Sequence, residues 1–120
     1  MSSNRRWVLW ALVAALVVVS QVGPLARVIA GETPGCPWDA KVAAAHVHAN
    51  RLEAGIEGGW FGDAEPGMDD WLAATWWRYV EDPTGGALFF IGPGDRERMP
   101  WLRMRVGRWL CAGTWVEAWE

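Results

Sequence analysis

The order of the sequence periodicities predicts a single α+β domain, helices first and a short antiparallel sheet last. Residues 39–52 and 68–80 carry apolar side chains at helical spacing. Beyond Gly85-Gly86 the chain changes to short apolar runs between turn residues. The last two runs, 106–112 and 114–119, alternate and are parted by Gly113, as a hairpin requires. With 120 residues, 52% of them hydrophobic, the chain has room for one domain. It contains no internal repeat or low-complexity tract.

Residues 1–22 are expected to be a signal peptide or an uncleaved signal anchor, with the functional domain over 23–120. Arg5 and Arg6 form a charged start, and Trp7 to Val19 is an unbroken apolar run of signal-sequence length. A stable span takes roughly 20 apolar residues, and this run is shorter. The arginines would stay on the cytoplasmic side and send the body outward. The expected location is therefore the periplasm, the cell wall or the outer face of the cytoplasmic membrane, with membrane contact only through this segment. Formal charge is −3, and −5 once Arg5 and Arg6 are set aside, which argues against nucleic acid. Nine of the eleven tryptophans lie beyond the segment and suit an aromatic core or a sugar-binding groove equally.

The stretch Leu25 to Arg51 organises the remainder. Glu32 lies in Ala30-Gly31-Glu32-Thr33-Pro34-Gly35, where Pro34 disfavours helical geometry for Thr33 and Gly35 suits a left-handed turn. A helix is therefore expected to stop within a residue or two of Glu32. By its residues alone, Glu32 is either an acid placed for chemistry at a helix end or a solvated surface carboxylate. Val28-Ile29-Ala30 before Gly31 also has the form of a signal-peptidase site, and a cut there would leave Glu32 second in the mature chain. Residues 39–52 form the strongest helix, with Val42, Ala45, His46, Ala49 and Leu52 on one face and Ala43, Val47 and Asn50 on its neighbour. His46 and His48, two apart, point about 200° from each other and cannot share an ion, so no metal site is expected. Asn50 either ties a neighbouring backbone or contacts substrate.

Gly58-Gly59-Trp60-Phe61-Gly62 reads as a loop whose Trp60 is either a sugar-stacking platform or a core anchor. The helix over 68–80 has an acidic start at Asp69-Asp70 and a predicted core face of Leu72, Trp76, Tyr79 and Val80. Residues 87–91 are a predicted strand, and Arg96 to Arg105 is basic and irregular, a solvated face or a surface for wall anions. Cys36 and Cys111, an even pair in an exported chain, are expected to form a disulfide. A catalytic role for Cys36 with His46 lacks a peptidase signature.

Leu25-Ala26-Arg27, Gly31-Glu32, Gly35, Pro37-Trp38-Asp39, Val42-Ala43, Val47 and Asn50-Arg51 resemble the cell wall hydrolase family that includes the spore-cortex-lytic enzymes. A second block, Asp82-Pro83-Thr84-Gly85-Gly86-Ala87-Leu88-Phe89-Phe90, is similar to the same family in the same order. The resemblance implies a lysozyme-like domain over 23–120 that acts on peptidoglycan, as a monomer and without a cofactor. In that family the residue matching Glu32 is the acid that cleaves the glycan strand. The second block would form a wall of the groove, with Asp82, Thr84, Gly85 and Phe90 near the glycan. Cys36 departs from the family, many members of which carry an acid there. The resemblance begins at Leu25, which places any leader cut near Val18-Val19-Ser20 rather than after Ala30.

One catalytic carboxyl is enough for a lytic transglycosylase, because the sugar's own C6 hydroxyl is the nucleophile. Partial burial would keep that acid protonated. A hydrolytic muramidase needs a second carboxylate, for which Asp39 and Asp82 are the candidates. A catalytically silent peptidoglycan-binding or accessory protein is the alternative from another class.

Overall fold

The computed structural model describes residues 3–56, 64–92 and 94–120. Helix α1 (Ser3–Glu32) is one unbroken helix of 30 residues. The apolar leader and the segment bearing Glu32, expected as separate pieces, are continuous across position 22. Pro24 lies inside α1 and deprives the Ser20 carbonyl of its usual donor without ending the helix. By length and composition alone α1 could cross a membrane. Its first two-thirds are exposed, whereas Gly23, Ala26, Ile29, Ala30 and Glu32 are buried. A cut after Ala30 would therefore remove core residues.

Helix α2 (Trp38–Glu53) is the centre of the domain. Its alanines let layers approach from both sides. Ala40, Ala43, Ala44 and Val47 pack toward Ala87, Phe90, Val116 and Ala118 of the sheet side. Val42 and Ala45 pack toward Ala26 and Ile29 of α1 and toward Ala73 and Ala74. Leu52, expected on the core face, is instead exposed at the end of the helix.

Helix α3 (Met68–Trp76) passes into a 3-10 turn, Trp77–Tyr79. Its predicted core face is wrong. Leu72, Trp76, Tyr79 and Val80 are exposed, while Asp70, Ala73 and Ala74 are buried. Ala73 and Ala74 meet Ala26 and Ile29 of α1, and Gly23 of α1 leaves room for the Trp71 ring, which a Cβ there would approach to 3.4 Å.

The sheet consists of β1 (Phe89–Ile91), β2 (Arg105–Cys111) and β3 (Thr114–Trp119), antiparallel in the order β1-β3-β2. Phe90 pairs with Ala118, and Leu110 with Trp115. Ala112 and Gly113 make the hairpin turn with φ of 50° and 86°, the left-handed pair that a two-residue turn favours. The basic stretch expected to be irregular contains a one-turn helix, α4 (Asp95–Arg98). Of its arginines, Arg96 lies over Trp119 and Arg105 pairs with Glu117; Arg108, further along β2, lies over Trp115. Cys36 and Cys111 are disulfide-bonded, tying the turn after α1 to the end of β2.

Candidate active site

Glu32 is the last residue of α1 and is buried, with 8% of its surface exposed. Thr33 follows it with its amide still bonded to the Ile29 carbonyl at 2.9 Å, after which Pro34 and Gly35 turn the chain. The carboxyl is thus held by the terminal turn of a rigid helix rather than by a loop.

Lys41 secures that terminus. Its Nζ donates to the Thr33 carbonyl at 3.0 Å and pairs with Asp70 Oδ1 at 2.6 Å, both side chains being buried. Asp70 Oδ2 in turn accepts from the Gly67 amide at 2.9 Å, so one ion pair fixes the end of α1 and the start of α3. A cation at the carbonyl end of α1 also complements its dipole. Lys41→Met should lower stability by roughly 3 kcal/mol, the smaller end of the range for breaking a buried pair, because Asp70 keeps the Gly67 amide. Urea unfolding would measure this, and an unchanged midpoint would refute the role.

Arg51, on the last turn of α2, joins Glu32 to the second sequence block. Its Nη1 donates to the Leu88 carbonyl at 2.9 Å, and its guanidinium lies 5.5 Å from the Phe89 ring centroid. Burial lowers the Arg51 pKa, and the nearby Glu32 charge opposes that shift. His48 is pushed down from 6.5, first by burial and then by the Arg51 charge. Glu32, Arg51 and His48 are therefore electrostatically connected.

Asn50, one residue earlier, donates to Asp82 Oδ2 at 3.0 Å and to the Ala87 carbonyl at 3.1 Å. Asp82 is the hub of the following turn. Its Oδ1 accepts from the Thr84 amide at 2.8 Å and the Thr84 hydroxyl at 2.6 Å, and its Oδ2 from the Gly86 amide at 3.0 Å. Thr84 Oγ1 accepts from the Ala87 amide at 3.2 Å. Gly85 and Gly86 take φ of 61° and 95°, with open space where a Cβ would stand, so this turn presents bare backbone outward.

Burial alone would raise the Asp82 pKa, but the bonds from Thr84, Asn50 and Gly86 outweigh it and hold the carboxyl below its ordinary 3.8. A depressed carboxyl contributes stability that is full above 3.8 and is lost as pH falls through the folded value. His48, also depressed, acts in the same direction below 6.5. Stability should therefore fall more steeply in acid for the wild type than for Asp82→Asn. Thermal melts between pH 5 and pH 2.5 would check this, about the range over which a carboxyl titrates, and parallel curves would contradict it.

The structure joins Asn50, Asp82 and Thr84 by hydrogen bonds around the turn that holds Gly85, and Glu32 is linked to this end of α2 through the charge of Arg51. Phe90 turns inward, stacked on Trp109 with centroids 5.9 Å apart, so its half-buried neighbour Phe89 faces Arg51 instead. Trp60 lies outside the described residues. His46 bonds the Val80 carbonyl at 2.9 Å and meets Trp77 edge-on, a packing role. Among the described residues no group of three or more His, Cys, Asp or Glu could hold a metal ion. Sequence reasoning missed Lys41 and the partnership of Arg51. Lys41 carried a signal, being the one lysine beside ten arginines and placed within an alanine-rich helix.

Neither a family model nor a curated protein sequence matches the chain. Among solved structures, it is similar to the catalytic domain of the Bacillus cereus SleB protein, with a TM-score of 0.60 and 21% identity over 82% of this chain and 88% of that one. The chain has the fold of that catalytic domain.

Proposed function

We propose that this protein cleaves peptidoglycan glycan strands between N-acetylmuramic acid and N-acetylglucosamine, as a lytic transglycosylase with Glu32 as general acid and base. The observation that carries the reading is the joining of the two sequence blocks. Asn50 and Arg51 donate directly to Asp82, Ala87 and Leu88, and the Arg51 guanidinium is near enough to buried Glu32 to feel its charge when the carboxyl is ionised. The shared fold supports it.

In this mechanism the Glu32 carboxyl gives its proton to the glycosidic oxygen as the C1–O bond breaks, leaving an oxocarbenium-like centre on the muramic sugar. Arg51 then provides a countercharge for the Glu32 carboxylate. That carboxylate takes the proton of the C6 hydroxyl as its oxygen closes on C1, forming a 1,6-anhydro ring and restoring the acid. Proton transfer by a positioned group contributes about 10²- to 10⁴-fold. The exposed glycines of the Asp82 turn provide a surface on which a sugar can approach the main chain.

Asp82 favours this route over hydrolysis, because both its oxygens are occupied by donors of its own turn and by Asn50. Asp39, the other candidate base, is exposed on the first turn of α2. Mass spectrometry of muropeptides released from purified sacculi should show anhydro-muramic ends. Reducing ends would replace this mechanism with a water-using one, and no release would favour a silent wall-binding protein.

A further inference from the structure

We propose that the body of this protein rests on the bilayer through an aromatic seat, Trp76 and Tyr79 with Arg78, whose occupant is the lipid headgroup boundary beside α1. The inference is independent of the chemistry at Glu32.

It begins with a mismatch of lengths. The unbroken apolar run Trp7 to Val19 reaches only about 20 Å along a helix, whereas the hydrocarbon core is about 30 Å thick. The uncharged part of α1 is longer, running from Trp7, next to Arg6, to Ala26, next to Arg27. That stretch spans about 30 Å and matches the core. Its last residues are not free helix. Val22 and Leu25, like Trp71 and Trp77, pack against the core of the α1–α2–α3 layer. A bilayer matched to α1 therefore has its outer boundary at the level of residues 21–26, beside the end of α3.

A cavity of about 320 Å³ fixes that level on the body, since Gln21, Pro24 and Leu25 line it together with Thr75, Arg78 and Tyr79. The side chains nearby that point outward are those a membrane boundary selects. Trp76 is 52% and Tyr79 75% exposed, and their rings lie 5.7 Å apart. Arg78 is exposed, with its guanidinium 5.6 Å from the Trp77 ring centroid. Tryptophan and tyrosine concentrate at the headgroup level, and an arginine there meets lipid phosphate. This also accounts for the exposed face of α3, which the sequence pattern predicts as core.

The test uses the full chain reconstituted in vesicles of phosphatidylethanolamine and phosphatidylglycerol, its intact mass confirming that residues 1–26 are present. Trp76→Cys and Tyr79→Cys are spin-labelled, with Trp101→Cys, 60% exposed beyond α4, as reference. The native cysteines are bonded to each other, so the label takes only the new thiol. Circular dichroism confirms folding of each variant. The ratio of oxygen to nickel-chelate accessibility should be at least about threefold higher at 76 and 79 than at 101, since oxygen partitions into lipid and the chelate into water. A ratio equal to that at 101 would overturn the seat. So would shielding from both reagents with dipolar broadening that vanishes on dilution with unlabelled protein, which indicates a second copy. Shielding that appears only when muropeptides are added would assign the aromatics to glycan, and a chain isolated from its native membrane without residues 1–26 would leave no span to set the level.

Discussion

Glu32→Gln is expected to abolish muropeptide release while leaving the fold intact. Glutamine keeps the shape of the buried side chain and its capacity for hydrogen bonds, but it has no proton to give the glycosidic oxygen and cannot later accept one from C6. A loss of about 10²- to 10⁴-fold follows from removing general acid–base catalysis. Since Glu32 is buried at the end of α1, the variant must be checked for structure as well as activity. Circular dichroism and the unfolding midpoint should change little. An active glutamine variant would remove the mechanism, whereas an inactive but unfolded one would leave Glu32→Asp to decide. Aspartate keeps the acid and withdraws it by one methylene, so it should retain partial activity if position as well as charge matters.

Loss of the Cys36–Cys111 bond should cost roughly 4 to 5 kcal/mol in the chain-entropy treatment. The two cysteines are 75 residues apart, so the bond constrains most of the domain in the unfolded chain. Against a typical total of about 5–15 kcal/mol, that is a large fraction. The bond also sits where two turns meet tightly. Gly35 has φ of 68°, and a Cβ there would come within 2.8 Å of the Ala112 Cβ, so the turn after α1 fits the hairpin tip only as glycine. Denaturant unfolding with and without reductant, compared with a Cys36→Ser/Cys111→Ser variant, would measure the effect. Free thiols in the folded protein, or equal midpoints in both conditions, would refute it. Because Cys36 lies four residues beyond Glu32, reduction should also depress activity at temperatures where most of the sheet is still folded.

The elements most legible in the sequence were those with local causes. The stop after Glu32 followed from Thr33-Pro34-Gly35, the central helix from its alanine and valine spacing, and the hairpin from alternation about Gly113. Legibility failed where partners are distant. Lys41 meets Asp70 across 29 residues and Arg51 meets Leu88 across 37, and no spacing rule encodes either contact. The face of α3 failed for a different reason. Hydrophobicity favours Trp76 and Tyr79 as core, but the face that meets the core carries Ala73 and Ala74, with Trp71 half-buried beside Gly23 of α1. Helix α4 is a single turn held by Asp95 accepting from the Gly92 amide at 3.0 Å, too short to leave a periodic trace. At the site, Glu32, Asn50 and the Asp82 turn were visible from the two blocks. How Asn50 and Asp82 use their polar atoms on each other became clear only from the distances.

The continuity of α1 would set how far the proposed chemistry can reach. No flexible linker separates the apolar segment from Glu32: the acid lies six residues beyond Ala26 on the same helix, about 9 Å along its axis. With that segment held in a lipid sheet, the carboxyl cannot wander through the thickness of the wall. On the proposed reading it would work in a thin layer just above the membrane, moving sideways with its anchor, and would meet strands laid down there rather than those already carried outward.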